Sequence, residues 1–72
     1  MNWLVQRRND GTVYALVIGK LKNGAMKVIA IDDDRKVAAN RSTSGWFPAP
    51  SSIDEAEVPE KLKAKVLKKA GL

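Results

Sequence analysis

The first half of the chain alternates short apolar runs with turn-forming residues, a pattern that is typical of antiparallel β-hairpins. Residues 3–5 begin a strand, and residues 9–11 (Asn-Asp-Gly) form the turn that follows it. Two apolar runs, residues 12–21 and 25–31, then flank Asn23-Gly24, the dipeptide that two-residue type I′ turns prefer. The pattern predicts two consecutive hairpins that share the strand at residues 12–21.

The second predicted hairpin places apolar side chains on both faces of its sheet. Pairing across a two-residue turn at Asn23-Gly24 sets Leu21 opposite Met26 and Ile18 opposite Ile29. One face then collects Val13, Ala15, Val17, Leu21, Met26, Val28 and Ala30. The other face holds Tyr14, Leu16, Ile18, Ile29 and Ile31. A sheet that is apolar on both faces either curls into a small barrel or is covered on its second face by the C-terminal segment.

The middle of the chain carries weaker strand signals. The three aspartates at residues 32–34 turn the chain into a short strand at residues 35–40. Trp46-Phe47 follows a polar loop and predicts a last short strand. Residues 48–52 contain two prolines and predict a stiff, extended linker.

The C-terminal segment has the pattern of a helix. Pro59 suits the first helical position, Gly71 suits the C-terminal cap, and Leu62 and Val66 begin an apolar stripe. These elements predict an α+β fold: a small twisted antiparallel β-sheet or partly open barrel of about three to five strands, followed by a C-terminal helix.

The predicted domain organisation follows from the same elements. We expect residues 1–50 to form an antiparallel β domain, and residues 51–72 to form a linker with a basic C-terminal helix or flexible tail. Because both hairpins are encoded locally, we also expect residues 1–48 to stay β-rich when residues 54–72 are removed.

The positive charge of the chain is concentrated at its C-terminus. The formal net charge is +5, but residues 1–60 carry eight basic and eight acidic side chains and are neutral. The excess comes from Lys61, Lys63, Lys65, Lys68 and Lys69. On a helix, Lys61, Lys65, Lys68 and Lys69 form one contiguous strip, which we take as a candidate partner-binding surface.

The composition disfavours catalysis and metal binding. The chain has no histidine and no cysteine, so it lacks the commonest general base and the thiolate ligands. The aspartates at residues 32–34 point alternately to either side of an extended segment, which favours a solvated turn over a metal site. We expect no enzymatic activity and no cofactor. No apolar run approaches the length of a membrane span. We expect the protein to be cytoplasmic, and we expect it to be a monomer.

Trp46 and Phe47 are the strongest candidates for contact with a partner protein. Adjacent side chains on an extended segment point in opposite directions, so one ring is expected in the core and the other near the surface. Exposed aromatic rings are typical interface anchors. Arg7 and Arg8, on the first hairpin, are the candidate contacts for carboxylate or phosphate groups.

The chain resembles a group of small regulators that bacteriophages make against host RNA polymerase. The resemblance lies in overall format: a short, cysteine-free, mildly basic β-hairpin sheet with a helical tail. No residue matches a motif of that group, so none of its functional residues is carried over. The resemblance implies a non-enzymatic protein that docks on RNA polymerase and inhibits initiation or promotes antitermination. The alternatives are a small basic nucleic-acid-binding module and a structural or accessory subunit of a larger assembly.

Overall fold

An open five-stranded antiparallel sheet carries one helix on one of its faces in this computed structural model, which describes residues 2–32, 34 and 36–72. The strands are β1 (Trp3–Arg8), β2 (Gly11–Lys20), β3 (Met26–Asp32), β4 (Val37–Ser42) and β5 (Ser51–Ile53). Their spatial order is β4-β3-β2-β1-β5. A 3₁₀ turn, Glu55–Glu57, leads into helix α1 (Glu60–Ala70). The predicted α+β fold class is confirmed, and the sheet is not closed into a barrel.

Both predicted hairpins are present, but the second turn is longer than predicted. The N–H of Gly24 donates to the Leu21 carbonyl at 3.0 Å, and the N–H of Leu21 donates to the Ala25 carbonyl at 2.8 Å. A type I′ turn requires positive φ at both Asn23 and Gly24. Gly24 has φ +86°, whereas Asn40 is the only non-glycine residue with positive φ in the described part of the chain. The type I′ prediction is therefore wrong, and the connection is a three-residue loop with Gly24 in the left-handed region.

The longer loop and a bulge change the predicted strand register. Met26 pairs with Lys20 rather than with Leu21, and Ile29 pairs with Leu16 rather than with Ile18. The pairing shifts between Val17 and Gly19, so Ile18 is an extra residue on β2. Such a bulge bends a strand and increases its twist.

One face of the sheet, here called the helix face, packs against α1. Buried side chains from the sheet meet others from the C-terminal segment in a single cluster. These residues are Trp3, Leu16, Ile29, Ile31, Val58, Leu62 and Val66. The C-terminal segment therefore completes the core on this face. This is the second of the two sequence-based alternatives, a sheet covered by the C-terminal segment.

The opposite face, here called the loop face, is covered by a connecting segment instead of a helix. β4 and β5 lie at opposite edges of the sheet, so residues 43–50 must pass from one edge to the other. This crossing segment lies over the loop face, because Trp46 packs against a buried cluster there and Pro48 contacts Gln6. The buried cluster consists of Leu4, Ala15, Val28 and Ala30.

Two segments have structures that differ from the sequence-based prediction: residues 46–47, predicted as a strand, and the segment that follows them, predicted as a linker. Trp46 and Phe47 do not form the last strand; Ser51–Ile53 does, within the segment predicted as a linker, by pairing with β1. Residues 43–50 cross the sheet before the chain reaches β1. The last strand, β5, therefore begins closer to the C-terminus than predicted. The predicted strand at residues 35–40 is present as β4, beginning at Val37; Asp33 and Arg35 lie outside the described residues.

Helix α1 begins and ends close to its predicted positions. Pro59 lies immediately before the first helical residue rather than within the helix, and its carbonyl accepts the N–H of Lys63 at 2.9 Å. Gly71 forms the C-terminal cap with φ +81°. Its N–H donates to the Lys68 carbonyl, and the N–H of Leu72 donates to the Leu67 carbonyl, the pairing of a Schellman motif.

Candidate interaction surfaces

The candidate partner-binding residues divide between the two faces of the sheet. Trp46 and Phe47 belong to the crossing segment on the loop face, and Arg8 alternates with Arg7 so as to share the face of Gln6. Helix α1, with all four candidate lysines, lies on the helix face. A partner with one flat contact surface cannot touch Phe47 and the lysines together. The structure therefore places on opposite faces the residues that the sequence groups as candidate partner contacts.

Trp46 and Phe47 differ in burial, as expected. The Trp46 side chain is half-buried and packs against the loop-face cluster. Phe47 is 92% exposed, which makes it the most exposed large hydrophobic residue among those described. A phenyl ring held almost entirely in water contributes nothing to the core of this chain.

The crossing segment is fixed to the sheet on both sides of Phe47. Before it, Thr43 and Met26 exchange two hydrogen bonds: the Thr43 N–H donates to the Met26 carbonyl at 3.0 Å, and the Met26 N–H donates to Thr43 Oγ1 at 3.2 Å. After it, Gln6 Nε2 donates to the Pro48 carbonyl at 2.9 Å. These contacts hold Phe47 in a defined position on the loop face.

The lysine strip consists of Lys61, Lys65, Lys68 and Lys69, which are all exposed on α1. Three of its members line a shallow groove of about 370 Å³ together with Val37, the first residue of edge strand β4. The other lysine of the helix, Lys63, is paired with Glu60 at 3.0 Å and is largely buried. The strip therefore faces solvent at the β4 edge of the sheet.

A larger groove, of about 460 Å³, lies on the loop face at the end of the sheet that carries the β1–β2 turn. Val13, Ala30 and Ala38 contribute small apolar side chains to its lining. Its charged lining residues are Arg8, Lys36, Arg41, Asp10, Asp32 and Asp34. Among the described lining residues, three cations and three carboxylates balance, and Arg8 is already paired with Asp10 at 3.0 Å. The described lining therefore carries no net charge to attract a polyanion.

In the connection between β3 and β4, an aspartate side chain forms a hydrogen bond with the backbone. Asp32 Oδ1 accepts the N–H of Lys36 at 3.1 Å, which closes the connection between β3 and β4. Among the described residues, no group of three acidic side chains could hold a metal ion. Asp33 lies outside those residues.

Gln6 and Met26 belong to the loop-face surface, although no sequence pattern identifies either residue as part of it. Gln6 is the one polar side chain that is buried in the described part of the chain, at 4% exposure. It follows the apolar residues of β1 and reads as the first polar residue after a strand start. Only the path of the crossing segment, which no local pattern encodes, gives it a partner.

No family model, curated protein or solved structure matches this chain. In the described residues, no helix is long and apolar enough to cross a lipid bilayer.

Proposed function

We propose that this chain is a non-enzymatic regulatory protein of the cytoplasm that docks on a protein partner through its loop face, with Phe47 as the anchor. The observation that carries the proposal is the exposure of Phe47, 92%, on a segment that hydrogen bonds fix to the sheet. Burying an aromatic ring whose backbone is already fixed costs little additional backbone entropy. Aromatic anchors of this kind commonly dominate the energy of an interface.

Other exposed residues on the loop face indicate the chemistry of the partner surface. Met26 lies on the loop face and is 37% exposed, so it adds apolar area. Lys20 pairs with Met26, and Arg41 pairs with Val28, which places both cations on the same face. The complementary surface is an apolar pocket for the phenyl ring with acidic residues at its rim.

Bacterial RNA polymerase is the specific partner that we propose. The support is the resemblance in format to phage regulators of that enzyme: a short, cysteine-free chain with a β-hairpin sheet and a basic helix. In this proposal the chain acts as a monomer, and it inhibits initiation or promotes antitermination by occupying a subunit surface. Of the two candidate arginines, Arg8 lies on the loop face and supplies a charged contact at the rim, whereas Arg7 lies on the helix face and stays outside this surface.

The test is a binding titration of the full chain against purified bacterial RNA polymerase, with and without its σ factor. We expect F47A to weaken binding by about tenfold or more, because a buried aromatic anchor is lost. The matched control is L72A, which removes another large hydrophobic side chain of high exposure, 75%, from the end of the chain. We expect L72A to bind within about twofold of the unaltered protein.

Two results would overturn parts of the proposal. Absence of binding by the unaltered chain would eliminate RNA polymerase as the partner. Equal binding by F47A and the unaltered chain would eliminate Phe47 as the anchor. Circular dichroism of both variants is the check on folding, and no change is expected since both side chains are exposed.

A further inference from the structure

The lysine strip is an unusual feature because helix stability does not account for it. Lys68 and Lys69 lie in the last turn of α1, where the helix dipole favours cations. Lys61 lies in the first turn, where the dipole disfavours them. The pairs Lys61/Lys65 and Lys65/Lys69 are spaced i, i+4, so the like charges of each pair repel each other and weaken the helix. An anionic ligand would relieve this repulsion.

The surroundings of the strip contain cations and little else. Lys65, Lys68 and Lys69 line the groove with Val37, and no acidic residue follows Glu60 in the chain. Glu60 itself is engaged with Lys63. The charged groove on the loop face differs, because its carboxylates balance its cations. At the β4 edge, the helix face therefore presents three exposed lysines with no acidic residue among those that line the groove.

We propose that the lysine strip binds the phosphate backbone of double-stranded nucleic acid, without reading its sequence. Protein interfaces are depleted in lysine, whereas lysine is a common contact for phosphate oxygens. Helix α1 contains no arginine and no aromatic residue, so it has neither bidentate base contacts nor rings on which bases of a single strand could stack. The higher charge density of a duplex suits a row of point charges about 12 Å long.

This surface is separate from the proposed protein-docking surface. The strip lies on the helix face, and Phe47 lies on the loop face. A partner protein and a nucleic acid can then be bound at the same time. The protein would hold its partner beside a duplex, which is a different activity from occupying a subunit surface alone.

The test is fluorescence anisotropy of a labelled, mixed-sequence DNA duplex of about 20 base pairs titrated with the full chain. Three to four phosphate contacts predict a log–log salt slope of about −3, so affinity should fall on the order of 100-fold between about 50 mM and about 200 mM salt. The triple variant K65Q/K68Q/K69Q should reduce the slope to about −1. The matched control is K20Q/K22Q/K27Q, which changes the net charge equally at the β2–β3 hairpin and should keep a slope of about −3.

The outcomes separate this proposal from its alternatives. Equal losses in the two triple variants would overturn it, because binding would then follow net charge rather than the strip. Tighter binding of poly-glutamate than of the duplex, at equal charge concentration, would also overturn it in favour of an acidic protein ligand. F47A should bind the duplex as the unaltered chain does. That result keeps this test independent of the docking proposal, and loss of duplex binding by F47A would overturn the separation of the two surfaces.

Discussion

Gln6 Nε2 donates a hydrogen bond to the Pro48 carbonyl across 42 positions of sequence, at 2.9 Å. Gln6 belongs to β1, between β2 and the short edge strand β5, and Pro48 belongs to the crossing segment above it. A buried amide that lacks a partner costs more than the hydrogen bond contributes, so the pair strongly favours one position of the segment. Through this bond, a strand residue determines where Phe47 is presented.

Replacing Gln6 by Met should destabilise the protein by about 1–3 kcal/mol, because the volume is kept while the Pro48 carbonyl loses its donor. Urea unfolding followed by tryptophan fluorescence measures the difference. The adjacent substitution R7M is the control, since Arg7 is exposed, and it should change the free energy of unfolding by less than about 0.5 kcal/mol. Equal stabilities of Q6M and R7M would show that the bond does not hold the segment.

Two glycines of the second hairpin should respond oppositely to alanine. Gly24 has φ +86°, where a Cβ is strained whatever the space around it, so G24A should cost about 1–2 kcal/mol. Gly19 lacks a positive φ, and a Cβ there would meet nothing within 4 Å. G19A should therefore be neutral or stabilising by up to about 1 kcal/mol. Thermal unfolding of the two variants measures the contrast, and a more costly G19A would mean that the bulge at Ile18 requires glycine beside it.

Removal of residues 54–72 should abolish cooperative unfolding. The sequence alone favours a sheet that survives this truncation, because both hairpins are encoded locally. The structure changes that expectation, since Val58, Leu62 and Val66 cover the helix face and their loss exposes Trp3 and Leu16. Circular dichroism and a urea titration of residues 1–53 test it. A cooperative transition would restore the expectation from the sequence.

A single substitution tests the same packing without truncation. L62A should cost about 2–4 kcal/mol, since Leu62 is only 8% exposed in the core cluster. K61A, one position earlier in the helix and exposed, should change the free energy of unfolding by less than about 0.5 kcal/mol. Similar stabilities for the two variants would mean that α1 contributes little to the core.

Beyond the bulge at Ile18, the faces of the central strands are predicted correctly from the sequence even though their register is not. The second hairpin has one more loop residue than the predicted type I′ turn, which shifts the pairing by one position. A one-residue shift exchanges the two faces of a strand. The bulge at Ile18 shifts the pairing by one more position and reverses the exchange beyond it. Val17 and Val28 therefore share a face as predicted, whereas Leu21 and Met26 do not.

The path of residues 43–50 could not be predicted, because no local pattern records which edge of the sheet the chain must reach. Helix α1 was predictable from Leu62, Val66 and Gly71, since an apolar stripe and a terminal glycine are local signals. The lysine strip followed directly from helical spacing. The separation of the lysine strip from Phe47 depends on which face of the sheet each segment covers. Contacts between residues far apart in sequence, such as Gln6 and Pro48, determine that choice of face.

Trp46 and Phe47 should differ sharply in their effect on stability, although they are neighbours of similar size. Trp46 packs against the loop-face cluster of Leu4, Ala15, Val28 and Ala30, so W46A should cost about 1–3 kcal/mol, less than a fully buried tryptophan. F47A should change the free energy of unfolding by less than about 0.5 kcal/mol, because its ring is almost fully hydrated in the folded protein. Urea unfolding monitored by far-ultraviolet circular dichroism avoids the loss of a fluorophore in W46A. A large cost for F47A would mean that the ring packs on the protein in solution, and the anchor proposed for the loop face would then be unavailable to a partner.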